Sequence, residues 1–307
     1  MTEQKKGIIH ATIAYTLWGL YPLYWTMLNT ISAPEILINR MFWSFMTLLI
    51  LIITLRRFKL VKETLQVLTA NKKKLILLVV ATALLSINWF LFMYAIITGR
   101  ILESSLGYYI NPILSILVGV VFLKERLNKY QLIATIIATT GVIFLTITHG
   151  AFPWISILLA LTWGFYALAK KLINIDAFYG LFLETTLMLP VSAFFFTTWF
   201  IDGSSTFRQS NMFHIFLLMG AGVITIIPLY FFSKAASRLP LKTLGFLQYI
   251  GPTLQLLVAI FITGEDFSSD RLITFAFIWV ACLLFSTSHL LQNRSDLKTE
   301  KINKLNE

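Results

Sequence analysis

Apolar residues along this chain fall in blocks of about 20, and a helix of that length is what a hydrocarbon core about 30 Å thick requires. Short polar stretches rich in Lys, Arg, Asn, Gly and Pro separate the blocks. Reading from one break to the next predicts ten spans, near 8–29, 32–55, 75–97, 101–123, 129–148, 151–172, 177–200, 213–233, 240–263 and 271–292. Boundaries set this way are good to about 2–4 residues. Ten spans place both termini on one side of the membrane.

Composition supports lipid as the solvent. Of 307 residues, 57% are hydrophobic and only 13% charged, whereas a soluble domain carries roughly 25% charge. The 25 Lys plus Arg against 14 Asp plus Glu do not form a stripe on a soluble face, which argues against nucleic acid as a partner. They sit between the blocks and sort by side. With the ten spans above, 21 of the 25 basic residues fall on the face that holds the termini, only Arg100, Arg208 and Arg271 on the other, and Arg40 inside a span. The positive-inside rule then places both termini in the cytoplasm. Cys282 is the only cysteine, so no intramolecular disulfide is expected. The Lys5-Lys6 region leads into an apolar stretch too long for a cleavable signal, and the first helix is expected to act as its own insertion signal.

Beneath the ten spans lies a repeat. Tyr109-Ile110-Asn111-Pro112 in span four recurs as Tyr249-Ile250-Gly251-Pro252 in span nine, and the same offset of 140 residues aligns Glu125 with Glu265. Leu17-Trp18-Gly19-Leu20-Tyr21 in span one is answered by Thr162-Trp163-Gly164-Phe165-Tyr166 in span six, at an offset of 145. The expected organisation is a first five-helix repeat at 1–148, a second at 149–292 and a polar cytoplasmic tail at 293–307. Five is odd, so the second half enters the membrane inverted relative to the first, as in many secondary transporters.

Both repeated motifs lie near mid-span, the depth at which a carrier of inverted halves binds its substrate. Ser104, Tyr108, Asn111 and Ser115 share one helical face, as do Gly245, Gln248, Pro252 and Gln255, and Tyr15, Trp18, Pro22 and Trp25. Polar groups facing lipid are costly, so these faces are expected to line the bundle interior or a water-filled cavity. Pro112 and Pro252 each remove an amide donor and free a carbonyl one turn earlier, which makes them helix-kink candidates. Trp18 and Trp163 at mid-span can wall a cavity or simply fill a core.

Ionisable residues within spans carry more information, because an unpaired charge there costs at least about 2.5–3.5 kcal/mol. Arg40 lies in span two and Glu184 in span seven, and the 145-residue offset pairs Glu184 with Asn39. Arg40 can hold an anionic group or neutralise an acidic partner, and Glu184 can carry a proton. The alternative for each is snorkelling or a structural ion pair. Asn88 is a weaker candidate, since one amide often only cross-links helices. Glu35, Glu103, Lys170 and Lys234, near span ends, read as interfacial. The cavity candidates are therefore Trp18, Asn39, Arg40, Asn88, Tyr108, Asn111, Trp163, Glu184 and Gln248. His10, His149, His214 and His289 lack ligand spacing, and Gly220-Ala221-Gly222-Val223-Ile224-Thr225 lacks the third glycine of a nucleotide loop and sits within a span. No metal, cofactor or enzymatic activity is expected.

With ten spans, Trp-Gly in the first helix of each half and Tyr-Ile-X-Pro in the fourth, the chain resembles the EamA-domain branch of the drug/metabolite transporter superfamily. The stretch from Tyr15 to Trp25, with Glu35-Ile36-Leu37-Ile38-Asn39-Arg40-Met41-Phe42-Trp43-Ser44, Ser86-Ile87-Asn88-Trp89 and Gly107-Tyr108-Tyr109-Ile110-Asn111-Pro112, is similar to the RarD group of bacterial permeases. The similarity covers almost the whole chain. It implies a multi-pass transporter of the bacterial cell membrane, in a group linked by name to chloramphenicol sensitivity, whose halves rock about a central cavity. The expected activity is secondary transport of a small organic metabolite or drug-like compound, coupled to protons or to exchange. A non-transporting scaffold for another membrane complex is the alternative, and a dry interior would favour it.

Overall fold

The computed structural model describes residues 2–148, 152–206, 212–263 and 272–287, and among them helices are joined by short turns with no strand. The helices are α1 (Glu3–Trp25), α2 (Ala33–Thr54), α3 (Phe58–Ala70), α4 (Lys72–Ile97), α5 (Ile101–Leu123), α6 (Lys129–Thr148), α7 (Trp154–Ile173), α8 (Ala177–Asp202), α9 (Met212–Arg238), α10 (Leu241–Gln248), α11 (Ile250–Val258) and α12 (Leu272–Thr287). Side chains set several ends. Thr2 accepts from the Lys5 amide at 3.3 Å to start α1, Asn71 from Lys74 at 3.2 Å to start α4, and Asp176 from Phe178 at 2.9 Å to start α8. Such caps satisfy amide donors that a helix leaves open.

Among the described residues eight helices are long and apolar enough to cross a membrane: α2, α4 to α9, and the stretch Leu241–Ile262 that joins α10 to α11. The 23-residue α1 falls outside that set, its middle given over to Gly, Pro, Trp and Tyr. Sixteen described residues form α12, the tenth expected span. The hydrophobic pattern did not reveal α3, a 13-residue amphipathic helix in what read as a charged connection. Glu265, Arg208, Arg271, His149, His289 and the tail at 293–307 lie outside the described residues. Large apolar side chains cover the bundle's outside, among them Ile50, Ile76, Phe90, Val121 and Ile147, each more than half exposed. That surface is unsuited to water.

The packing joins the two sequence halves rather than separating them. α1 lies against α9 and α11, α7 against α4 and α5, α2 against α8, and α5 against α10. Exchanging the halves turns α1–α9 into α7–α4 and α1–α11 into α7–α5. α6 and α12 pack at the side, where Ala134, Ala138 and Val142 meet Phe275, Ile278 and Ala281.

Without hydrophobic exclusion from water, helices in lipid hold together by close packing at small residues. At Gly222 a Cβ would lie 2.3 Å from the Trp43 carbonyl carbon, joining α9 to α2. At Gly245 it would lie 2.7 Å from the Pro112 carbonyl oxygen, joining α10 to α5. Both contacts are with backbone, which cannot rotate away.

The end of the bundle that holds Glu3 is closed by polar contacts between halves. The Glu125 carboxylate accepts from the Leu241 and Lys242 amides at 2.7 and 2.9 Å, capping α10. Lys242 Nζ donates to the Arg126 carbonyl at 2.6 Å, and Arg238 pairs with Glu3 at 2.9 Å. Behind them the largest apolar cluster, including Leu239, Leu241, Leu244 and Phe232, seals the interior.

Gly222→Ala is expected to destabilise the protein by about 1–3 kcal/mol through overpacking. At Gly164 a new Cβ would meet Val118 Cγ2 at an ordinary 3.5 Å. Gly164→Ala should therefore be neutral, or stabilising by up to about 1 kcal/mol through helix propensity. Thermal melting of the two variants in the same detergent checks the contrast.

Candidate functional site

A cavity of about 240 Å³ lies between the halves, lined by α1, α2, α4, α5, α7, α9 and the α10–α11 stretch. The helical faces read from spacing converge on it. All four members of the α1 face, Tyr15, Trp18, Pro22 and Trp25, line the wall, with Ser104, Tyr108 and Asn111 of α5 and Gln248, Pro252 and Gln255 of α10–α11. Ser115, the fourth of the α5 face, is buried and accepts from Gln248 Nε2 at 2.9 Å. Gly245 is used instead for the approach to Pro112.

α1 holds its place through phenols. Tyr21 and Tyr24 donate across the interface to the carbonyls of Ile224 and Leu217 in α9. The indoles pack edge to face, with Trp18 and Trp163 centroids 5.2 Å apart at 80°. Gln255 Nε2 donates to the Trp18 carbonyl at 3.2 Å, tying α11 to α1. The helix break in span nine falls at Tyr249, three residues before Pro252, whereas α5 runs through Pro112 without interruption.

Among the described residues Arg40 is the one charged residue of the wall. Its Nε donates to Thr225 Oγ1 at 3.2 Å, and its Cζ lies 4.3 Å from the Trp89 ring centroid and 5.6 Å from that of Trp25. Among the described residues no carboxylate is within ion-pairing distance of it. Arg40 is half-buried, its exposed part opening on the cavity. Asn88 also faces the cavity, but both amide protons are committed to α7, to the Leu159 carbonyl at 2.8 Å and Thr162 Oγ1 at 2.9 Å. It cross-links α4 to α7.

Two sequence candidates stand apart from the cavity. Asn39 is 1% exposed and turns back on its own helix, its Nδ2 donating to the Glu35 carbonyl at 3.0 Å. Glu184 is also 1% exposed; it accepts from Lys170 Nζ at 2.6 Å and from the Tyr166 hydroxyl at 3.1 Å. Lys170 and Glu35, expected at the interface, are instead buried. The charge of Lys170 is met by Glu184, while Glu35 accepts from the hydroxyls of Ser205 and Thr206. Spacing also passed over Trp89, Phe92 and Tyr21, all of which line the wall. Tyr21 follows Trp18 by three residues, so a wider reading of the α1 face reaches it. Trp89 carries no such signal, because its neighbour Asn88 had already claimed the face.

The sequence profile of the EamA-like transporter family matches residues 5–147. A Vibrio cholerae protein named as an uncharacterised transporter is 44% identical over 94% of this chain and 94% of its own length. The RarD protein of Escherichia coli K12 is 38% identical over 96% of this chain and 99% of its own. One solved crystal structure, 17% identical, superposes with a TM-score of 0.68 over 95% of this chain and 99% of that one, a likeness of fold alone.

Removing one member of the Lys170–Glu184 pair strands the other charge in the core, which costs about 3–5 kcal/mol for a buried pair. Glu184→Gln is expected to melt at markedly lower temperature or fail to accumulate. The double variant Lys170→Met/Glu184→Leu should recover most of the loss, and full recovery is checked by melting in detergent.

Proposed function

Because this chain belongs to the EamA-like transporter family, and within it to the group of RarD proteins, we propose that it is a secondary transporter that moves a small organic metabolite across the bacterial cell membrane by alternating access. Membership makes it a multi-pass membrane protein of a transporter family rather than an enzyme family. The observation that carries the finer reading is the cavity between the halves, near mid-bundle, lined by polar and aromatic side chains and backed by a sealed end. A dry scaffold has no use for such a space.

In this reading all ten hydrophobic segments cross the membrane, 1–148 and 149–292 are inverted repeats, and both termini lie in the cytoplasm. The exchange of packing partners between halves and the distribution of basic residues support that arrangement. The wall residues Trp25, Phe92 and Ser104 belong to the half of the bundle remote from Glu3. The cavity therefore faces outward, and the Glu125 cap, the Lys242 contact and the Arg238–Glu3 pair form a closed inner gate. Opening it must uncap α10. Movement is driven by a proton gradient or by exchange. At about 240 Å³ the cavity is smaller than the roughly 300–1,000 Å³ of drug-sized pockets, which favours a small metabolite over a bulky antibiotic.

Single cysteines in a Cys282→Ser background test this. Cysteine at Tyr108 is expected to react with a membrane-impermeant maleimide added from outside, and cysteine at Leu244 to be protected from both sides. Glu125→Ala, which removes the α10 cap, should shift labelling at Leu244 toward the inside at least several-fold. Protection at Tyr108, Asn111 and Gln248 alike would rule out the carrier and leave a scaffold.

A further inference from the structure

We infer that the solute carried is a small organic anion, a monocarboxylate with a flat apolar body, whose carboxylate is held by Arg40 with the Tyr108 hydroxyl. The inference rests on the carrier reading and specifies its substrate class.

Charge comes first. Among the described residues Arg40 is the only side chain of the wall with a charge at neutral pH, so the site is cationic. Placing an arginine at such depth is costly. Elsewhere in the bundle that cost is offset by a fixed partner, as Lys170 has Glu184. Arg40 has aromatic faces and one hydroxyl. A counter-charge that arrives with the substrate completes the balance, whereas an organic cation meets an unscreened like charge and finds no carboxylate.

Geometry supplies the second line. With Nε donating to Thr225 and Cζ over Trp89, the guanidinium is fixed at one edge and one face. Among the described residues the two Nη groups have no hydrogen-bond partner, and their planar fork matches the two oxygens of a carboxylate. The Tyr108 hydroxyl is the natural second donor. Tyr108 is half-buried in the same wall as Arg40, and its hydroxyl has no hydrogen-bond partner among the described residues. Tyr21, also in the wall, already donates to Ile224.

The rest of the wall fixes the body of the ligand. Trp18, Trp25 and Trp163 offer indole surface, and offset or edge contacts with a flat ring are favourable there. Phosphate esters and dianions fit poorly, since a second negative charge finds no second cation.

The test uses the full chain in nanodiscs and three carboxylates of rising size, benzoate, phenylacetate and indole-3-acetate, each against its neutral amide and its amine. Titration calorimetry is expected to show at least one carboxylate bound about tenfold or more tightly than its amide, with the amine bound weakest. Arg40→Gln should bring the carboxylate down to the amide, and amide binding retained by this variant shows an intact fold. Arg40→Lys should fall between the two. Tyr108→Phe should weaken the carboxylate by about 3–10-fold and leave the amide unchanged. Equal binding of carboxylate, amide and amine would overturn the assignment, as would a carboxylate preference that survives Arg40→Gln. So would the absence of binding by all nine compounds. In each of these cases the carrier reading still stands if cysteine at Tyr108 is reached by water-borne reagent, and falls with the assignment if it is dry.

Discussion

A guanidinium within an apolar bundle, with no carboxylate among the described residues to meet it, is the constraint around which this structure is arranged. Bare burial would expel Arg40 or unfold α2. What retains it is the Trp89 face, the Thr225 hydroxyl and access to the cavity. Each requirement draws in another helix: α4 for the indole, α9 for the hydroxyl, α1 for Trp25. The close crossing at Gly222 has the same effect, because Thr225 can reach Arg40 only if α9 and α2 approach to backbone contact. Helix packing and site geometry are thus one problem, solved where a glycine stands one turn from a threonine.

Other charges of the bundle are handled differently, and the contrast gives Arg40 its meaning. Glu184 and Lys170 neutralise one another, Glu125 caps a helix of the opposite half, and Glu103 accepts from the Ile155 amide at the start of α7. These are local solutions that bind elements together. They also divide the two ends of the bundle. Latches between halves and the buried Leu239, Leu241 and Leu244 occupy the end near Glu3, while Trp25, Phe92 and Ser104 of the wall lie toward the other. In the proposed carrier that asymmetry is a state, and its mirror image is the inward-facing form. Caps made by carboxylates on helix ends suit a gate, since each can be exchanged for water at modest cost on the aqueous side of the membrane.

Much of this was legible in the sequence because lipid imposes simple rules. Block length located the helices, and i, i+3, i+4 spacing on α1, α5 and α10–α11 identified three faces that meet at the cavity. Arg40 was legible because a lone charge in an apolar run is conspicuous. Glu184 was conspicuous for the same reason, yet its partner Lys170 stood near a span end and read as interfacial. Spacing along a chain cannot tell which of two ionisable residues on different helices will meet; only the fold, which brings the Lys170 and Glu184 side chains together, does that. Asn39 failed in a related way, since an offset between halves matches depth but not the direction in which a side chain points. The α3 helix was hidden because seven basic residues between Arg56 and Lys74 masked the apolar stripe of Phe58, Val61, Leu65 and Leu68.

Counterflow across a sealed bilayer addresses the central claim most directly. Proteoliposomes loaded with a high concentration of unlabelled aromatic monocarboxylate, diluted into a trace of the labelled compound, should show a transient overshoot of uptake with the wild-type chain and none with Arg40→Gln. An equal overshoot in both, or one obtained with the neutral amide and not the carboxylate, would contradict the role given to the unpaired arginine.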